Sequence, residues 1–318
     1  MPRGIRDSRM RGMKMVDKKA LTEEAIRPAK MMKEKAACVV ADREYLLRSK
    51  EHWERVSCPA CGSWKSAFFG EKDNFVYEEC QDCLAVFTNP RPSQSLLQEF
   101  YANSQNYAYW NEHIFPATDS VRREKIYRPR VAMMKSILDK YQNIRGTFLE
   151  IGAAFGSFCQ EAKEQMDFGE IIALEPTPNL AETCRQKGFS VIEAPVEAVS
   201  IQEFADVIAA FEVLEHLYSP KEFILQCSRM LRQDGVLFLS CPNVKGFDVM
   251  TLRMLSNVFD HEHINYFHPL SLQNLIRNCG FEVLEVLTPG KLDADIVRKH
   301  ALNGTFDVEQ YPFRKEVI

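Results

Sequence analysis

The stretch from Thr147 to Ser157 carries a carboxylate beside a glycine-containing turn, a combination that can hold a small charged ligand. Its apolar residues predict a buried parallel strand, and the small residues that follow predict a turn. Gly152 and Gly156 would let the backbone approach a ligand closely. The helical composition after Ser157 places the positive end of a helix at this turn.

Two kinds of ligand suit such a turn. The dinucleotide fingerprint G-x-G-x-x-G needs further glycines, whereas this chain has Ala154 and Ser157 at the relevant positions. Glu150, two residues before Gly152, would repel a pyrophosphate but can hold an ammonium group. The amino-acid part of S-adenosylmethionine (SAM) has both a positive amine and a carboxylate that can face the helix N-terminus.

A second acidic strand end follows about twenty residues later. The apolar run Ile171–Leu174 predicts a strand, and Glu175 stands at its end. A carboxylate there can accept both ribose hydroxyls, each charge-assisted bond being worth roughly 1.5–3 kcal/mol. The alternative is an exposed surface glutamate. Further strands are predicted over Phe189–Ile192 and Ala205–Ala210.

Several of these motifs, in this order, resemble class I SAM-dependent methyltransferases over roughly residues 145 to 290. The segment Glu150-x-Gly152-x-Ala154-x-Gly156 resembles the motif E/D-x-G-x-G-x-G, with Ala154 in place of the middle glycine. The segment Phe211–Leu217 resembles the V-L-E-H signature after the fourth strand. The resemblance implies an α/β fold, a Rossmann-like sheet with helices on both faces. It implies SAM contacts from Glu150, Gly152, Ala154, Gly156, Glu175, Pro195, Val196 and Phe211.

Composition restricts the setting of the protein. The chain has 318 residues, 46% of them hydrophobic and 26% charged, as in an ordinary soluble enzyme. A net charge of -4 gives no indication of nucleic acid or a membrane surface, and no apolar run approaches the ~18–20 residues of a membrane span. The basic N-terminus lacks the apolar core of a signal peptide. Ten cysteines without a disulfide pattern favour a cytoplasmic location.

Four of the cysteines form two matched pairs. Cys58 and Cys61 precede Cys80 and Cys83, each pair having C-x2-C spacing. Two such knuckles complete a closed tetrahedral site, which predicts one structural zinc ion. The aromatic residues between the pairs predict a small hairpin. Redox chemistry is disfavoured, because it needs a single pair on a thioredoxin-like unit.

Aromatic side chains follow the cysteine module. Tyr107, Tyr109 and Trp110 can either pack between domains or form a wall for a sugar or ring substrate. Ser93 is predicted to cap a short helix that runs through Tyr101.

Regular elements are also predicted elsewhere in the chain. Helices are predicted over residues 20–50 with a break at Pro28, and over 120–142. In the second half we expect a helix from Ser219 to Gly235, a strand over Val236–Ser240, a helix over Ser271–Cys279 and a sixth strand over Phe281–Leu287.

Three histidines and two carboxylates occur within Asp260–His268. His261 and His263 would share one face of an extended chain, so a metal site is one interpretation. A general base is the other, with Glu262 or another acceptor orienting an imidazole toward the substrate.

The four-cysteine ribbon, V-L-E-H and then E-H-x-x-Y-F together resemble nucleotide-sugar C-methyltransferases. That resemblance implies that His263 removes a proton next to a keto group, with Glu262 beside it and His216 facing the same pocket. Asp260 replaces a tyrosine common in that family. The family also continues into a further C-terminal domain, whereas this chain ends about thirty residues after the predicted sixth strand.

The expected organisation is a basic tail and helical arm (1–55), a zinc ribbon (56–90), a helical and aromatic connector (91–145), a SAM-binding domain (146–290) and a C-terminal tail or incomplete extension (291–318). The expected function is methyl transfer to a small molecule, an activated sugar or surface-glycan precursor. Methylation of a hydroxyl on a quinone-like or other small ring is an alternative. A modifier or binding module docked to a macromolecule through the ribbon is another, although no basic cluster beside the cysteines indicates nucleic acid.

Overall fold

The computed structural model describes residues 21–141 and 146–311. The predicted basic tail (1–20), residues 142–145 of the connector and the last residues, 312–318, lie outside this part of the chain. Within the described ranges, no helix has the length and apolarity needed to cross a bilayer.

The strands of the described chain form two sheets. Their bounds are β1 Ser66–Lys72, β2 Phe75–Cys80, β3 Val86–Thr88, β4 Thr147–Ile151, β5 Glu170–Leu174, β6 Ser190–Ile192, β7 Ala205–Phe211, β8 Leu231–Ser240 and β9 Asn265–Tyr266. The smaller sheet has the order β1-β2-β3-β9, and the larger has the order β6-β5-β4-β7-β8.

The described chain contains thirteen α-helices, several of which pack on the larger sheet. They are α1 Glu23–Ile26, α2 Ala29–Glu34, α3 Ala36–Leu47, α4 Gln94–Asn103, α5 Gln105–Tyr109, α6 Phe115–Arg122, α7 Arg128–Tyr141, α8 Ser157–Gln165, α9 Pro178–Gln186, α10 Pro220–Met230, α11 Phe247–Leu252, α12 Pro269–Asn278 and α13 Asp293–Leu302. Trp110–Ile114 and Arg123–Tyr127 are π-helical, and short 3-10 turns lie at Lys50–His52, Val196–Ala198, Leu214–His216, Arg253–Leu255 and Val308–Gln310.

All neighbouring strands of the larger sheet run parallel. Its central strand, β4, has Ile151 beside Leu174 of β5 and Ala210 of β7. Phe148 and Leu149 have no exposed surface, because the two faces of β4 are each covered by an apolar cluster. The carboxyl ends of these strands meet at one edge, so Glu150 and Glu175 are brought close together.

Most predicted elements are confirmed. Helices flank the break at Pro28, and the hydroxyl of Ser93 accepts a hydrogen bond from the amide of Leu96 at 3.3 Å. The hairpin between the cysteine pairs is β1 and β2. Residues 120–141 of the helix predicted over 120–142 lie in a longer helical run that begins at Gln105.

Two predictions in the second half are wrong. The helix from Ser219 ends at Met230 rather than at Gly235, because Leu231 is buried and already pairs with Ala205 of β7. The predicted sixth strand, Phe281–Leu287, is not part of a sheet. Its apolar residues alternate, but a strand also needs a neighbouring backbone that accepts its ladder hydrogen bonds. Leu287 is 51% exposed.

The smaller sheet combines distant parts of the chain. β1, β2 and β3 belong to the cysteine module, whereas β9 comes from the histidine-rich segment and pairs antiparallel with β3. The smaller sheet therefore extends beyond the cysteine module, since residues 265 and 266 belong to it. The predicted end of the module at residue 90 remains a prediction.

The N-terminal arm is fixed at both ends. The carboxylate of Asp42 accepts hydrogen bonds from the hydroxyl of Ser104 at 2.6 Å and from the amide of Asn106 at 2.9 Å. Glu23, which is 2% exposed, binds the ammonium of Lys299 on α13 at 2.8 Å. The arm thus joins the connector helices to the C-terminal helix.

Candidate active site

The turn after β4 contains three residues with left-handed backbone. Gly152, Ala154 and Gly156 have φ angles of +74°, +48° and +65°. A Cβ at position 156 would lie 3.1 Å from the sulfur of Cys184, so glycine suits both the angle and the space. Alanine in this conformation costs about 1–2 kcal/mol. The amide of Ala154 donates to Glu175 Oε2 at 2.8 Å, which helps to hold the turn.

Glu150 lies beneath this turn, with 5% of its surface exposed. Its Oε2 accepts hydrogen bonds from the amide of Cys159 at 3.1 Å and from the thiol of Cys159 at 2.9 Å. Burial raises the pKa of Glu150 to about 8, although these bonds and Arg130 act in the opposite direction. The carboxyl group therefore ties β4 to the first turn of α8, a role that the sequence analysis missed. Its predicted contact with the SAM ammonium stays a prediction.

Glu175 is 1% exposed, so the alternative of a surface glutamate is wrong. Its Oε1 accepts from the amide of Thr177 at 2.9 Å, and its Oε2 accepts from the amide of Ala154. Burial raises the pKa of this carboxyl, and the two amide bonds oppose that shift. Each carboxylate oxygen has a further lone pair, so the group retains the capacity to accept ribose hydroxyls.

The other residues predicted to contact SAM differ in their exposure and in their neighbours. Pro195 is exposed, whereas Val196 is 6% exposed and belongs to the apolar core. The ring of Phe211 packs 4.8 Å from that of Phe158, and the guanidinium of Arg130 lies 4.6 Å from the Phe211 ring. The neighbours of Val196 and Phe211 give both residues a packing role, and their SAM contacts stay predictions.

His216 and His263 come together, their ring centroids 4.7 Å apart. Nδ1 of His263 lies 2.8 Å from the carbonyl oxygen of Val258, so it carries the proton and donates. In the neutral ring, Nε2 of His263 is then the unprotonated nitrogen. Nδ1 of His216 lies 3.2 Å from the carbonyl oxygen of Glu262 and takes the same role.

The two rings differ in their affinity for protons. Burial, together with the charge of His263, lowers the pKa of His216 to about 3. Burial also acts to lower the pKa of His263, but the carboxylates of Asp260 and Glu215 more than compensate and raise it. His216 is therefore neutral near pH 7, and His263 is the ring of the pair with the higher affinity for a proton.

Glu215 completes this cluster, and the sequence analysis assigned it no role. It is 1% exposed, and its Oε2 has no hydrogen-bond partner within the described chain. Burial raises its pKa to about 8. Side-chain N and O atoms of Glu215, His216 and His263 lie within 4.8 Å of one another. The V-L-E-H motif contained Glu215, which lies four positions after the end of β7.

The predicted pairing of His261 with His263 on one face is wrong. Oδ1 of Asp260 accepts from the amides of Glu262 and His263 at 3.0 and 2.9 Å, so the chain turns here instead of extending. His261 is buried on the other side, where its Nε2 lies 3.9 Å from Oδ2 of Asp42.

Glu262 does not orient His263 with its side chain. Its carboxylate accepts a hydrogen bond from the side-chain amide of Asn106 at 2.7 Å, on the side of His261. Its carbonyl oxygen contacts His216 and accepts from the hydroxyl of Tyr101 at 2.8 Å. Of the acceptors that the sequence left open for His263, the structure supplies the carbonyl of Val258.

The three aromatic residues proposed as a substrate wall have different neighbours in the structure. Burial raises the pKa of Tyr107, and the carboxylates of Glu175 and Glu262 act in the same direction. The hydroxyl of Tyr109 donates to Glu34 at 2.8 Å. The Trp110 ring lies 5.5 Å from the Lys35 ammonium. Tyr109 and Trp110 thus pack against the N-terminal arm.

The sulfur atoms of Cys58, Cys61, Cys80 and Cys83 all lie within 4.8 Å of one another. Two of the distances, Cys58 to Cys83 and Cys61 to Cys80, are 3.5 Å. Tetrahedral zinc with Zn–S bonds of about 2.3 Å separates its sulfurs by roughly 3.8 Å. The four side chains therefore form a cluster that is geometrically compatible with zinc, and no ligand position would remain open for chemistry.

Comparison with known proteins agrees with the class that this fold and donor turn define. Residues 123–286, just over half of the chain, match the family described as "Methyltransferase domain". The chain belongs to this family, and residues 123–286 form a SAM-dependent methyltransferase domain with a Rossmann-like fold.

Curated relatives share part of the chain. It is 33% identical over 98 residues to a probable S-adenosylmethionine-dependent methyltransferase of Mycolicibacterium smegmatis, covering 31% of this chain and 35% of that protein. It is 26% identical over 137 residues to the ubiquinone biosynthesis O-methyltransferase of an Azoarcus species, covering 41% and 58%. The chain thus spans less than two thirds of the length of either relative.

A solved structure of a SAM-dependent methyltransferase from Thermotoga maritima, a possible histamine N-methyltransferase, has 21% sequence identity and a TM-score of 0.43. The match covers 59% of this chain and 81% of that one.

Proposed function

We propose that the protein methylates a carbon next to a keto group in an activated sugar or surface-glycan precursor, with His263 as general base. One observation carries this proposal. The bond from Nδ1 of His263 to the carbonyl of Val258 commits that nitrogen and leaves Nε2 as the basic atom. The side chain is 18% exposed, so it remains accessible to a substrate.

Bound SAM supplies a methyl group already activated on a sulfonium. His263 accepts the proton from the carbon next to the keto group. The electron pair left on that carbon forms the bond to the methyl group as the methyl–sulfur bond breaks, and the electron pair of the broken bond stays on the sulfur of S-adenosylhomocysteine. The carboxylate of Asp260, whose Oδ1 lies 3.6 Å from Nδ1 of His263, stabilises the resulting imidazolium by its negative charge. A positioned base contributes typically about 10²–10⁴-fold, and alignment of the reacting atoms contributes ~7–11 kcal/mol.

Tyr107 is the candidate for the substrate wall in this arrangement. The carboxylates of Glu175, beside the donor turn, and Glu262, in the histidine loop, both raise the pKa of its phenol. Aromatic rings cover the faces of sugars and planar rings well.

A second candidate is methylation of a hydroxyl on a small ring. It is favoured by relatives named ubiquinone biosynthesis O-methyltransferase in Azoarcus and Xanthomonas. The same base can take the proton of a hydroxyl, so the two functions differ in the acceptor and not in the donor site.

Isotope exchange separates these candidates. The protein is incubated in D2O with S-adenosylhomocysteine and either nucleotide-keto-sugars or quinone-like ring hydroxyls, and deuterium in recovered substrate is measured by mass spectrometry. Carbon methylation predicts deuterium next to the keto group, together with methylated product when labelled SAM is supplied. His263→Asn should abolish the exchange, whereas His52→Asn, at a side chain 80% exposed, should not. Product from the ring hydroxyls alone would replace the sugar proposal by the second candidate.

A further inference from the structure

The histidine loop is built into the sheet of the cysteine module. β9 starts two residues after His263, and its residues Asn265 and Tyr266 pair with Phe87 and Val86 of β3. The first residue of β3 lies three positions after Cys83. A single strand therefore connects a cysteine of the predicted metal site to the loop that carries the base.

Arg91 fastens both histidine segments to this sheet. It is 1% exposed, and its guanidinium donates to the carbonyl oxygens of Thr88, Tyr218 and Ile264, each at 3.2 Å. Tyr218 is two residues after His216, and Ile264 directly follows His263. One planar cation thus fixes the backbone beside each ring of the pair.

Further hydrogen bonds stabilise this junction between the ribbon and the two histidine segments. The amide of Thr88 donates to the carbonyl of Ile264 at 3.0 Å, and Nε2 of His268 donates to the carbonyl of Cys83 at 2.9 Å. The side-chain amide of Asn265 donates to the carbonyls of Leu214 and Leu217 at 3.1 and 2.7 Å. The segment that carries Glu215 and His216 is therefore held by β9.

Charge links Arg91 to the cysteines. All three of its acceptors are neutral carbonyls, and a buried cation needs a compensating negative charge. Four thiolates around a zinc ion have a net charge of about -2. A loaded cysteine site, at the end of the same sheet, would be a source of such charge.

The donor turn is independent of this junction. Glu150 is bonded to Cys159, and Glu175 is bonded to Ala154 and Thr177, all within the larger sheet and its helices. Loss of the junction should therefore leave SAM binding intact.

We propose that the metal-loaded cysteine ribbon positions the His216–His263 pair for catalysis, and that Arg91 is the positioning residue that transmits this order. The catalytic part of this inference rests on the proposed role of His263 as base. Its structural part does not.

The first test uses Arg91→Met in the full chain, with Arg55→Met as the matched control. Arg55 also belongs to the ribbon, where it binds Glu78 at 2.7 Å, but its side chain is 63% exposed and contacts neither histidine segment. Arg91→Met should keep zinc, measured by elemental mass spectrometry, and S-adenosylhomocysteine affinity, measured by calorimetry. Its kcat should fall about 10²-fold with a smaller change in KM, because the base is displaced. The acid limb of its pH–rate profile should move, whereas Arg55→Met should match the wild type.

The conservative variant Arg91→Lys is the second arm, since Arg91→Met removes a buried side chain and can unfold. A lysine keeps the charge but cannot reach three carbonyls, so its kcat should lie between those of wild type and Arg91→Met. If a folded Arg91 variant retains wild-type kcat and pH profile, the positioning role is overturned.

The third arm does not depend on the acceptor or on activity. Amide hydrogen exchange is followed by mass spectrometry in the full chain with and without stoichiometric Zn²⁺. Metal removal should speed exchange at least about tenfold in residues 214–218 and 260–268, while residues 147–160 should be unchanged. Equal acceleration in all three segments, or none in the two histidine segments, would overturn the inference. If this result holds while His263→Ala keeps full turnover, the proposed function fails and the structural coupling stands.

Discussion

The donor turn and the histidine cluster are built in different ways. Glu150, Ala154 and Cys159 occur within ten residues, and Glu175 reaches them from the neighbouring strand of the same sheet. The histidine cluster instead gathers Glu215, His216 and His263 from two segments and depends on a third, the ribbon, through Arg91. A site made of consecutive elements keeps its geometry by local rules, whereas a site assembled from distant segments requires an external support. The two sites should therefore respond independently to substitution.

The largest difference between the responses of the two sites should come from His263→Ala. Turnover should fall about 10²–10⁴-fold, because the base is lost while alignment is kept. S-adenosylhomocysteine affinity and zinc content should be unchanged in calorimetry and elemental analysis. His52→Ala is the exposed control. A parallel loss of donor affinity would show that the two sites are not separable and that the role assigned to His263 is wrong.

The converse change is Glu175→Gln. A neutral amide loses the charge-assisted bonds to ribose, each worth roughly 1.5–3 kcal/mol, so SAM should bind at least about tenfold more weakly. The zinc content and the pH dependence of kcat should not change, because neither depends on the donor turn. Glu193→Gln, at an exposed position paired with Arg185, should bind SAM normally. Unaltered SAM affinity in Glu175→Gln would remove the ribose contact from the site.

A pH effect should sharpen the difference within the donor turn. The pKa of Glu150 is raised to about 8, and only the ionised carboxylate attracts an ammonium. SAM affinity should therefore rise as pH increases from about 6 toward 8, and binding should release a proton near neutral pH. Calorimetry in buffers with different ionisation enthalpies measures that proton. Glu150→Gln should abolish the pH dependence.

Without ligand, the same group acts on folding with the opposite sign. The native carboxyl keeps a proton that the unfolded chain releases above about pH 4.3. The contribution of Glu150 should thus lower the free energy of unfolding as pH rises from about 4.3 to 8. Denaturant titrations of wild type and Glu150→Gln over this range measure it, and parallel pH curves would refute the assignment.

The smallest expected effect concerns Ala154→Gly. Relief of the left-handed alanine is worth about 1–2 kcal/mol, and the greater freedom of unfolded glycine offsets about 0.4–1 kcal/mol of it. Denaturant midpoints should show stabilisation of up to about 1.6 kcal/mol. Ala153→Gly, next to it but without a positive φ angle, should destabilise instead. Destabilisation by both changes would show that the Ala154 side chain contributes packing.

The sequence alone determined the elements that obey local rules. The spacing of Cys58, Cys61, Cys80 and Cys83 predicted a single four-sulfur cluster, and the apolar run before Gly152 predicted the central strand. Strands ending in Glu150 and Glu175 predicted two acids at one edge of a parallel sheet, because all strands of such a sheet end on the same side. These inferences depend on backbone angles and on side-chain periods within a few residues.

Only the tertiary structure decided which distant groups meet. The alternating residues of Phe281–Leu287 resemble a strand but pair with none, whereas the two residues of β9 pair with the ribbon. The turn at Asp260 sends His261 toward Asp42 and His263 toward Glu215, a separation that residue spacing did not reveal. Pairing partners depend on the long-range packing of the whole chain, since a backbone donor is satisfied equally well by any carbonyl that the fold brings within reach.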